Sequence, residues 1–161
     1  MSEPDIHLAD RTRALEVRAN ARVAGQRVVF TNGCFDVLHA GHIAYLAWAR
    51  AQGDLLILGL NDDASVARLK GPTRPIVPFA QRQIVLSALR MVDLVVGFGE
   101  STPIELIMLL QPDVHVKSAQ YRLEDLPERF AVESGGGQIA LAPHSAGLST
   151  TELLAKIRER A

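Results

Sequence analysis

Short apolar runs alternate along the chain with longer segments in which apolar residues recur at helical spacing. The runs are rich in Val, Ile, Leu and Phe and predict buried β-strands. Five such runs occur, at residues 27–31, 54–60, 93–98, 113–117 and 138–142. Continuous rather than alternating hydrophobicity is typical of strands that are covered on both faces of a sheet.

The segments between these runs predict helices. They span residues 8–24, 42–52, 80–90, 103–110 and 126–134, and a last helix runs from its cap at Ser149 through residue 157. Gly25 and Gly53 close the first two, and Thr102 caps the fourth with Pro103 at its first position. Residues 61–63 predict a cap or turn. Residues 69–78 hold three prolines and a glycine and predict a loop.

Strands that alternate with helices predict an α/β fold with a doubly wound, parallel, five-stranded sheet of Rossmann-like type. No repeat or low-complexity tract divides the chain, so we expect one domain over residues 1–161. Within it, residues 1–26 form a helical extension and residues 27–157 the catalytic core. The first helix either supplies a homodimer surface or packs as an ordinary helix.

Composition excludes several classes of protein. The 161 residues are 48% apolar and 22% charged, with a net charge of −1, which is typical of a globular domain and gives no basic footprint for nucleic acid. The single cysteine, Cys34, cannot form an intrachain disulfide. The start, MSEPDIHLADRTR, lacks the apolar region of a signal peptide, and no apolar run could span a bilayer. We therefore expect a cytoplasmic protein without nucleic-acid or membrane partners.

Two histidines follow the first predicted strand, in the stretch TNGCFDVLHAGH. In an open parallel sheet, ligands bind beyond the carboxyl ends of the strands, and a helix N-terminus there favours phosphate. His39 and His42 share one face of the first helical turn, and Gly41 leaves room for a ligand beside the backbone. Either histidine alone is more typical of a cap or a surface residue. Together, the features predict a polyphosphate site.

Five segments in this order, TNGCFD, HAGH, GLNDDASV, LKGPTRPI and GLSTT, resemble the cytidylyltransferase-like nucleotidyltransferases. Within these, the chain is most similar to the bacterial heptose 1-phosphate adenylyltransferases of ADP-heptose synthesis, over residues 27–157. The resemblance implies that ATP and a sugar 1-phosphate give an ADP-sugar and pyrophosphate, with Mg²⁺ or a similar ion accompanying ATP. It also implies that a separate sugar kinase supplies the acceptor.

Candidate site residues follow from these motifs and from the strand ends. The expected catalytic groups are His39, His42 and Lys70, the last in the 69–78 loop. The expected nucleotide-binding residues are Thr31, Asn32, Gly33, Cys34, Phe35, Gly41, Arg74, Lys117, Ser149, Thr150 and Thr151. The expected acceptor-binding residues are Asp36, Asn61, Asp63, Arg82 and Gln120. No set of protein metal ligands is predicted.

Three functions remain open at this point. Glycerol-3-phosphate cytidylyltransferases share the first motif and a similar STT ending, so a cytidylyltransferase for a polyol or choline phosphate is the alternative enzyme. After Lys117 the heptose enzymes show Gly-Gly-Asp-Tyr, whereas this chain has Ser118-Ala119-Gln120-Tyr121. That replacement of a carboxylate by an amide favours a third possibility, a nucleotide-binding module without turnover.

Overall fold

A computed structural model describes residues 8–143 and 150–160. Within these residues, six strands form one sheet. They are β1 (Leu8–Ala9), β2 (Val28–Gly33), β3 (Leu55–Asn61), β4 (Leu94–Phe98), β5 (Val114–Ser118) and β6 (Gln138–Ala142). The helices are α1 (Arg11–Val23), α2 (Ala40–Arg50), α3 (Asp63–Lys70), α4 (Phe79–Ser87), α5 (Ile104–Leu110), α6 (Arg129–Ser134) and α7 (Thr150–Arg160).

The sheet has the order β1-β4-β3-β2-β5-β6, and every pair is parallel. Chain order therefore reverses at β2, which pairs with β3 on one side and with β5 on the other. In doubly wound sheets this switch point opens a crevice at the carboxyl ends of the strands. The doubly wound parallel fold predicted from the sequence is confirmed.

Both faces of the sheet are buried under helices. On one face, Phe30 and Val96 pack with residues of α1, α5 and α6, among them Ala14, Ile107 and Val132. On the other face, residues of β2 to β6 pack with α2 and α4, including Leu46, Ala49 and Leu86. This two-sided burial explains why the strands are continuously apolar in sequence.

The chain enters the sheet earlier than the sequence pattern predicts. Residues 8 and 9 form a short strand beside Val95 and Val96 of β4, not the first turn of a helix. The carboxylate of Asp10 accepts a hydrogen bond from the backbone N–H of Arg13 and caps α1 there. The sheet therefore has one strand more than the five predicted, and that strand was hidden because two residues carry no periodic signal.

Local boundaries also differ near the expected site. β2 runs on through Asn32 and Gly33, which the sequence places in a loop. Residues 63–70 form α3, which the sequence analysis did not predict between the turn at 61–63 and the loop at 69–78. Asp62 caps this helix by accepting from the backbone N–H of Ser65. The segment predicted as helix 126–134 is helical only from Arg129, after a 3₁₀ turn at Leu123–Asp125. Among the described residues, no helix is long and apolar enough to cross a membrane.

Candidate active site

A cavity of about 700 Å³ lies at the carboxyl ends of the strands, beside the switch point between β2 and β5. It collects residues from the ends of β2, β3 and β5 and from the start of α2. Fourteen of the predicted site residues line it: Asn32, Gly33, Cys34, Phe35, Asp36, His39, Gly41, His42, Asn61, Lys70, Arg74, Lys117, Gln120 and Thr150. The fold thus brings together segments that lie more than 100 residues apart in sequence.

His39 is the N-cap of α2. Its extended backbone (φ −144°, ψ 171°) starts the helix, and its Nδ1 accepts a hydrogen bond of 3.1 Å from the backbone N–H of Gly41. A neutral imidazole that accepts at Nδ1 carries its proton on Nε2. One of the helix N–H groups expected to bind phosphate is therefore already paired. The Nε2–H of His39 is available as a donor in its place.

The ring of His42 stacks on that of His39, with centroids 3.9 Å apart and planes inclined by 26°. The centre of the Phe35 ring lies 5.1 Å from that of His42, with the two planes inclined by 58°. Burial and the neighbouring His39 lower the pKa of His42 to about 4. Nδ1 of His42 is buried and has no hydrogen-bond partner among the described residues. His42 is therefore neutral near pH 7 and can offer an N–H, not a positive charge, to a ligand.

The turn after β2 is shaped by a close approach between Gly33 and Phe35. Phe35 has a φ of 44°, in the left-handed region that is unusual for a bulky residue. A Cβ at position 33 would lie 2.9 Å from the Phe35 ring, so only glycine fits without a shift. Cys34 between them has its thiol pKa raised by burial, which keeps the sulfur protonated and disfavours a nucleophilic role.

Asp36 ties the cavity floor to the loop between α3 and α4. Its carboxylate accepts hydrogen bonds from the backbone N–H groups of Ile76 and Val77 at 2.8 Å, and from Nε of Arg74. The Asp36 side chain is only 1% exposed, and its pKa is lowered because these donors outweigh the effect of burial. Asp36 therefore lines the cavity, but its carboxylate is used to hold the loop. The sequence analysis predicted that it binds the acceptor.

Lys70 and Asn61 reach the cavity from α3 and β3. Lys70 is the exposed last residue of α3, not a residue of the loop as predicted, and Gly71 ends the helix with a φ of 101°. The Asn61 side chain is buried, and its amide N–H donates to Ser65 at 3.2 Å. Lys70 is thus an exposed residue of the cavity lining, while the Asn61 side chain has a partner within the protein.

Lys117 is the last residue but one of β5 and lies beside Asn32 of β2, at the switch point. Its Nζ lies 3.1 Å from Oε1 of Glu128, 3.5 Å from Oδ1 of Asn32 and 5.0 Å from the centre of the Tyr121 ring. Glu128 also meets Nε2 of the buried His115 at 3.3 Å. Sequence reasoning named Lys117 but missed Glu128, because no motif marks it.

Three predicted residues lie outside the cavity. The Thr31 hydroxyl is buried 2.7 Å from the Tyr45 hydroxyl and 3.0 Å from the carbonyl oxygen of Val116. The Arg82 guanidinium is 1% exposed and donates to the carbonyls of Cys34, Asn61 and Val77 and to the Asp63 carboxylate. Arg82 is therefore buried against partners within the protein and not open to an acceptor as predicted, whereas the Asp63 side chain, which pairs with it, is half-exposed. The arginine was misassigned because its helix position gave no sign of its burial.

The predicted residues near the end of the chain are only partly described. Thr150 begins α7 and lines the cavity. Ser149 lies outside the described residues, and Thr151 lies within α7. Further residues that the sequence analysis did not assign to the site also line the cavity: Tyr45, Ser101, Thr102, Ser118, Tyr121, Asp125 and Glu128.

The family model for cytidylyltransferase-like domains matches residues 30–156, which include all the described walls of this cavity. The chain belongs to the cytidylyltransferase-like family. Membership confirms the enzyme class predicted from the sequence, a nucleotidyltransferase.

Curated relatives at about half identity carry one common name. "Bifunctional protein HldE" of Gluconacetobacter diazotrophicus is 52% identical over 151 residues, which are 94% of this chain and 31% of that protein. The same-named protein of Halorhodospira halophila is 50% identical over 95% of this chain and 32% of its own length. The chain thus spans about a third of the length of these relatives.

Two solved structures share the fold. The lipopolysaccharide core biosynthesis protein of Thermoplasma volcanium is 26% identical, with a TM-score of 0.62 over 75% of this chain and 98% of that one. A pantoate-β-alanine ligase of Francisella tularensis, solved with a β,γ ATP compound and β-alanine, has a TM-score of 0.60 over 96% of this chain and 78% of that one. At 16% identity, the second likeness supports the fold alone.

Proposed function

We propose that this cytidylyltransferase-like domain transfers AMP from ATP to a sugar 1-phosphate, heptose 1-phosphate, and releases an ADP-sugar and pyrophosphate. The stacked His39–His42 pair at the start of α2, inside the switch-point cavity, is the observation that carries the proposal. The sugar acceptor is favoured by the resemblance to heptose adenylyltransferases, by the HldE relatives and by the structural neighbour that is a lipopolysaccharide core biosynthesis protein.

The reaction needs no enzyme nucleophile. An oxygen of the acceptor phosphate forms a bond to the α-phosphorus of ATP, the bond from that phosphorus to the bridging oxygen of the β-phosphate breaks, and pyrophosphate leaves with the electron pair. Catalysis is then positioning and stabilisation of developing charge. The Nε2–H of His39, an N–H of neutral His42 and the ammonium of Lys70 supply donors to the phosphates.

Mg²⁺ enters this proposal only as part of the ATP co-substrate. Among the described residues, no three His, Cys, Asp or Glu side chains are grouped as metal ligands, and the Asp36 carboxylate already accepts from loop N–H groups and Arg74. Mg²⁺ commonly retains water and binds through substrate phosphates. No residue of this chain is assigned to the ion, and no step above depends on it.

The chain covers only about a third of its HldE relatives, so the supply of acceptor is part of the proposal. We assign phosphorylation of the sugar to a separate kinase in the same cytoplasmic compartment. The chain itself acts on nucleoside triphosphate and phosphorylated sugar, either as a monomer or as a homodimer, which gel filtration with light scattering would distinguish.

A pyrophosphate-release assay tests the function. ATP, CTP, GTP and UTP are each combined with heptose 1-phosphate, glucose 1-phosphate, glycerol 3-phosphate and choline phosphate. Turnover with ATP and heptose 1-phosphate supports the proposal. Turnover with CTP and glycerol 3-phosphate or choline phosphate would replace it by the cytidylyltransferase alternative. Binding of nucleotide by calorimetry without turnover of any pair would indicate a binding module.

A further inference from the structure

A buried charged network forms part of the cavity wall at the switch point, where Lys117 and Glu128 are both lining residues. Glu128 is 3% exposed, and one of its oxygens, Oε1, meets both Nζ of Lys117 at 3.1 Å and Nε2 of His115 at 3.3 Å. His115 is fully buried, and its ring stacks on Phe30 with centroids 5.5 Å apart. Only Lys117 of the three reaches the cavity with a positive charge.

A buried network of charged side chains is not needed to stabilise the core. Desolvation of a buried ion pair often cancels its attraction, and apolar residues of similar volume stabilise a core as well or better. The two partners nonetheless both contact Oε1 of the carboxylate, whereas Nδ1 of His115 is buried without a hydrogen-bond partner among the described residues. Burial raises the pKa of Glu128, but the hydrogen bond from His115 and the charge of Lys117 outweigh it and bring the pKa to about 2. The carboxylate is therefore ionised over the working pH range.

The network restricts the Lys117 side chain. A free lysine loses rotamer entropy when it makes a directed contact. Here the ammonium is held by the Glu128 carboxylate, faces Oδ1 of Asn32 at 3.5 Å and lies 5.0 Å from the Tyr121 ring. Asn32 and Lys117 follow the paired residues Thr31 and Val116, so the ammonium is fixed where the crevice opens.

We propose that Glu128 is a positioning residue, which acts on substrate only through Lys117 by fixing its ammonium at the switch point, with His115 holding the carboxylate in place. The inference rests on the proposed nucleotidyltransferase function for the contact that Lys117 makes. It requires that substitution of Glu128 have no further effect on kcat/KM once Lys117 has been substituted.

A double-mutant cycle tests this directly. Glu128→Gln, Lys117→Met and the double variant are compared, with Glu133→Gln as the control, because Glu133 is an exposed carboxylate on the same helix. We expect each single variant to lower kcat/KM about 10-fold or more. The double variant should be no worse than Lys117→Met. Losses that multiply, or a Glu128→Gln loss no larger than that of Glu133→Gln, would overturn the proposal.

A spectroscopic readout separates positioning from turnover. The sequence contains three lysines, Lys70, Lys117 and Lys156, so ¹⁵N-lysine labelling gives at most three ammonium signals. We expect one signal to be slow in exchange, lost in Lys117→Met and fast-exchanging in Glu128→Gln, with Glu133→Gln unchanged. If Glu128→Gln leaves that signal protected, Glu128 does not position Lys117.

Failure of the proposed nucleotidyltransferase function can be distinguished from failure of the positioning role of Glu128. If the wild type turns over no nucleotide and acceptor pair, the assigned reaction is wrong, and the same cycle is run on the Kd for ATP by calorimetry. A weaker Kd in Glu128→Gln that disappears in the Lys117→Met background supports the positioning role without turnover. An unchanged Kd in both single variants contradicts it.

Discussion

The imidazole rings of His39 and His42 lie stacked 3.9 Å apart at the first turn of α2, and they have different partners. Nδ1 of His39 accepts from Gly41, whereas Nδ1 of His42 is buried without a partner among the described residues. One histidine therefore supports the helix as well as facing the cavity, and the other is held neutral. The two should respond differently to substitution.

His42→Ala should abolish measurable turnover and leave the fold intact. Loss of one well-placed donor to a developing charge costs about 10²–10³-fold in kcat. Pyrophosphate release measures the rate, and circular dichroism with thermal melting measures the fold. Near-normal turnover in a folded His42→Ala protein would show that the histidine pair is not the catalytic centre.

His39→Ala should lower stability as well as rate, because it removes the cap of α2. Loss of an N-cap costs about 0.5–2 kcal/mol. His39→Asn retains a short acceptor for the Gly41 N–H and should recover most of the stability but none of the rate. Urea denaturation of both variants distinguishes the two roles. Equal free energies of unfolding for His39→Ala and the wild type would contradict the capping role.

Lys70 and Arg82 form a matched pair of cations with opposite expected effects. Lys70 is exposed at the cavity, so Lys70→Met should lower kcat/KM about 10²-fold and change stability by no more than about 0.5 kcal/mol. Arg82 is buried against three carbonyls and a carboxylate, so Arg82→Met should cost about 3 kcal/mol or more. Denaturant titration and kinetics on both proteins provide the comparison. If Arg82→Met lowered kcat/KM without lowering stability, Arg82 would instead act in the substrate site.

Asp36→Ala should release the loop of residues 71–78. The substitution leaves Arg74 and the N–H groups of Ile76 and Val77 without their acceptor, and removal of one partner of a buried pair costs about 3–5 kcal/mol. We expect faster trypsin cleavage after Lys70 and a lower free energy of unfolding. Glu16→Gln, at an exposed surface pair, is the control. Cleavage as slow as in the control would show that Asp36 does not hold the loop.

The free energy of unfolding should fall as the pH drops from 6.5 toward 4. The His42 pKa is lowered from 6.5 to about 4, so the unfolded chain binds the proton first and is favoured by acid across that window. The loss from this residue is on the order of 2 kcal/mol. His42→Gln should reduce the slope, and the remainder is expected from His115, whose pKa is also lowered by burial.

A second acid-sensitive window belongs to Glu128. Its pKa is lowered from 4.5 to about 2, so the stability that its ionised form contributes is present above pH 4.5 and lost as the pH falls toward 2. Urea denaturation at closely spaced pH values resolves the two windows.

The window between pH 6.5 and 4 tests His42. A free energy of unfolding that does not change over this range in the wild type would contradict the neutral, buried state of His42.

Much of the site could be predicted because it lies in contiguous motifs. TNGCFD and HAGH place Asn32 and both histidines at the end of a strand and the start of a helix, and local sequence reports such positions well. Arg82 and Asp36 were harder, since a charged residue in a helix or turn looks the same whether it faces solvent or a buried carbonyl. Glu128 could not be predicted, because its contacts with His115 and Lys117 depend on how the segment after β5 packs back against that strand, which no local pattern shows.

The sequence by itself determined the layers of this protein. Apolar runs, helical spacing and glycines decide which segments form strands and which form helices, because secondary structure depends on local conformation and burial. Only the tertiary structure decided which charges face the cavity. Asp36 and Arg82 hold loops, and Glu128 holds Lys117, because parallel pairing of β2 with β5 and the packing of α4 and α6 bring distant groups within hydrogen-bond distance.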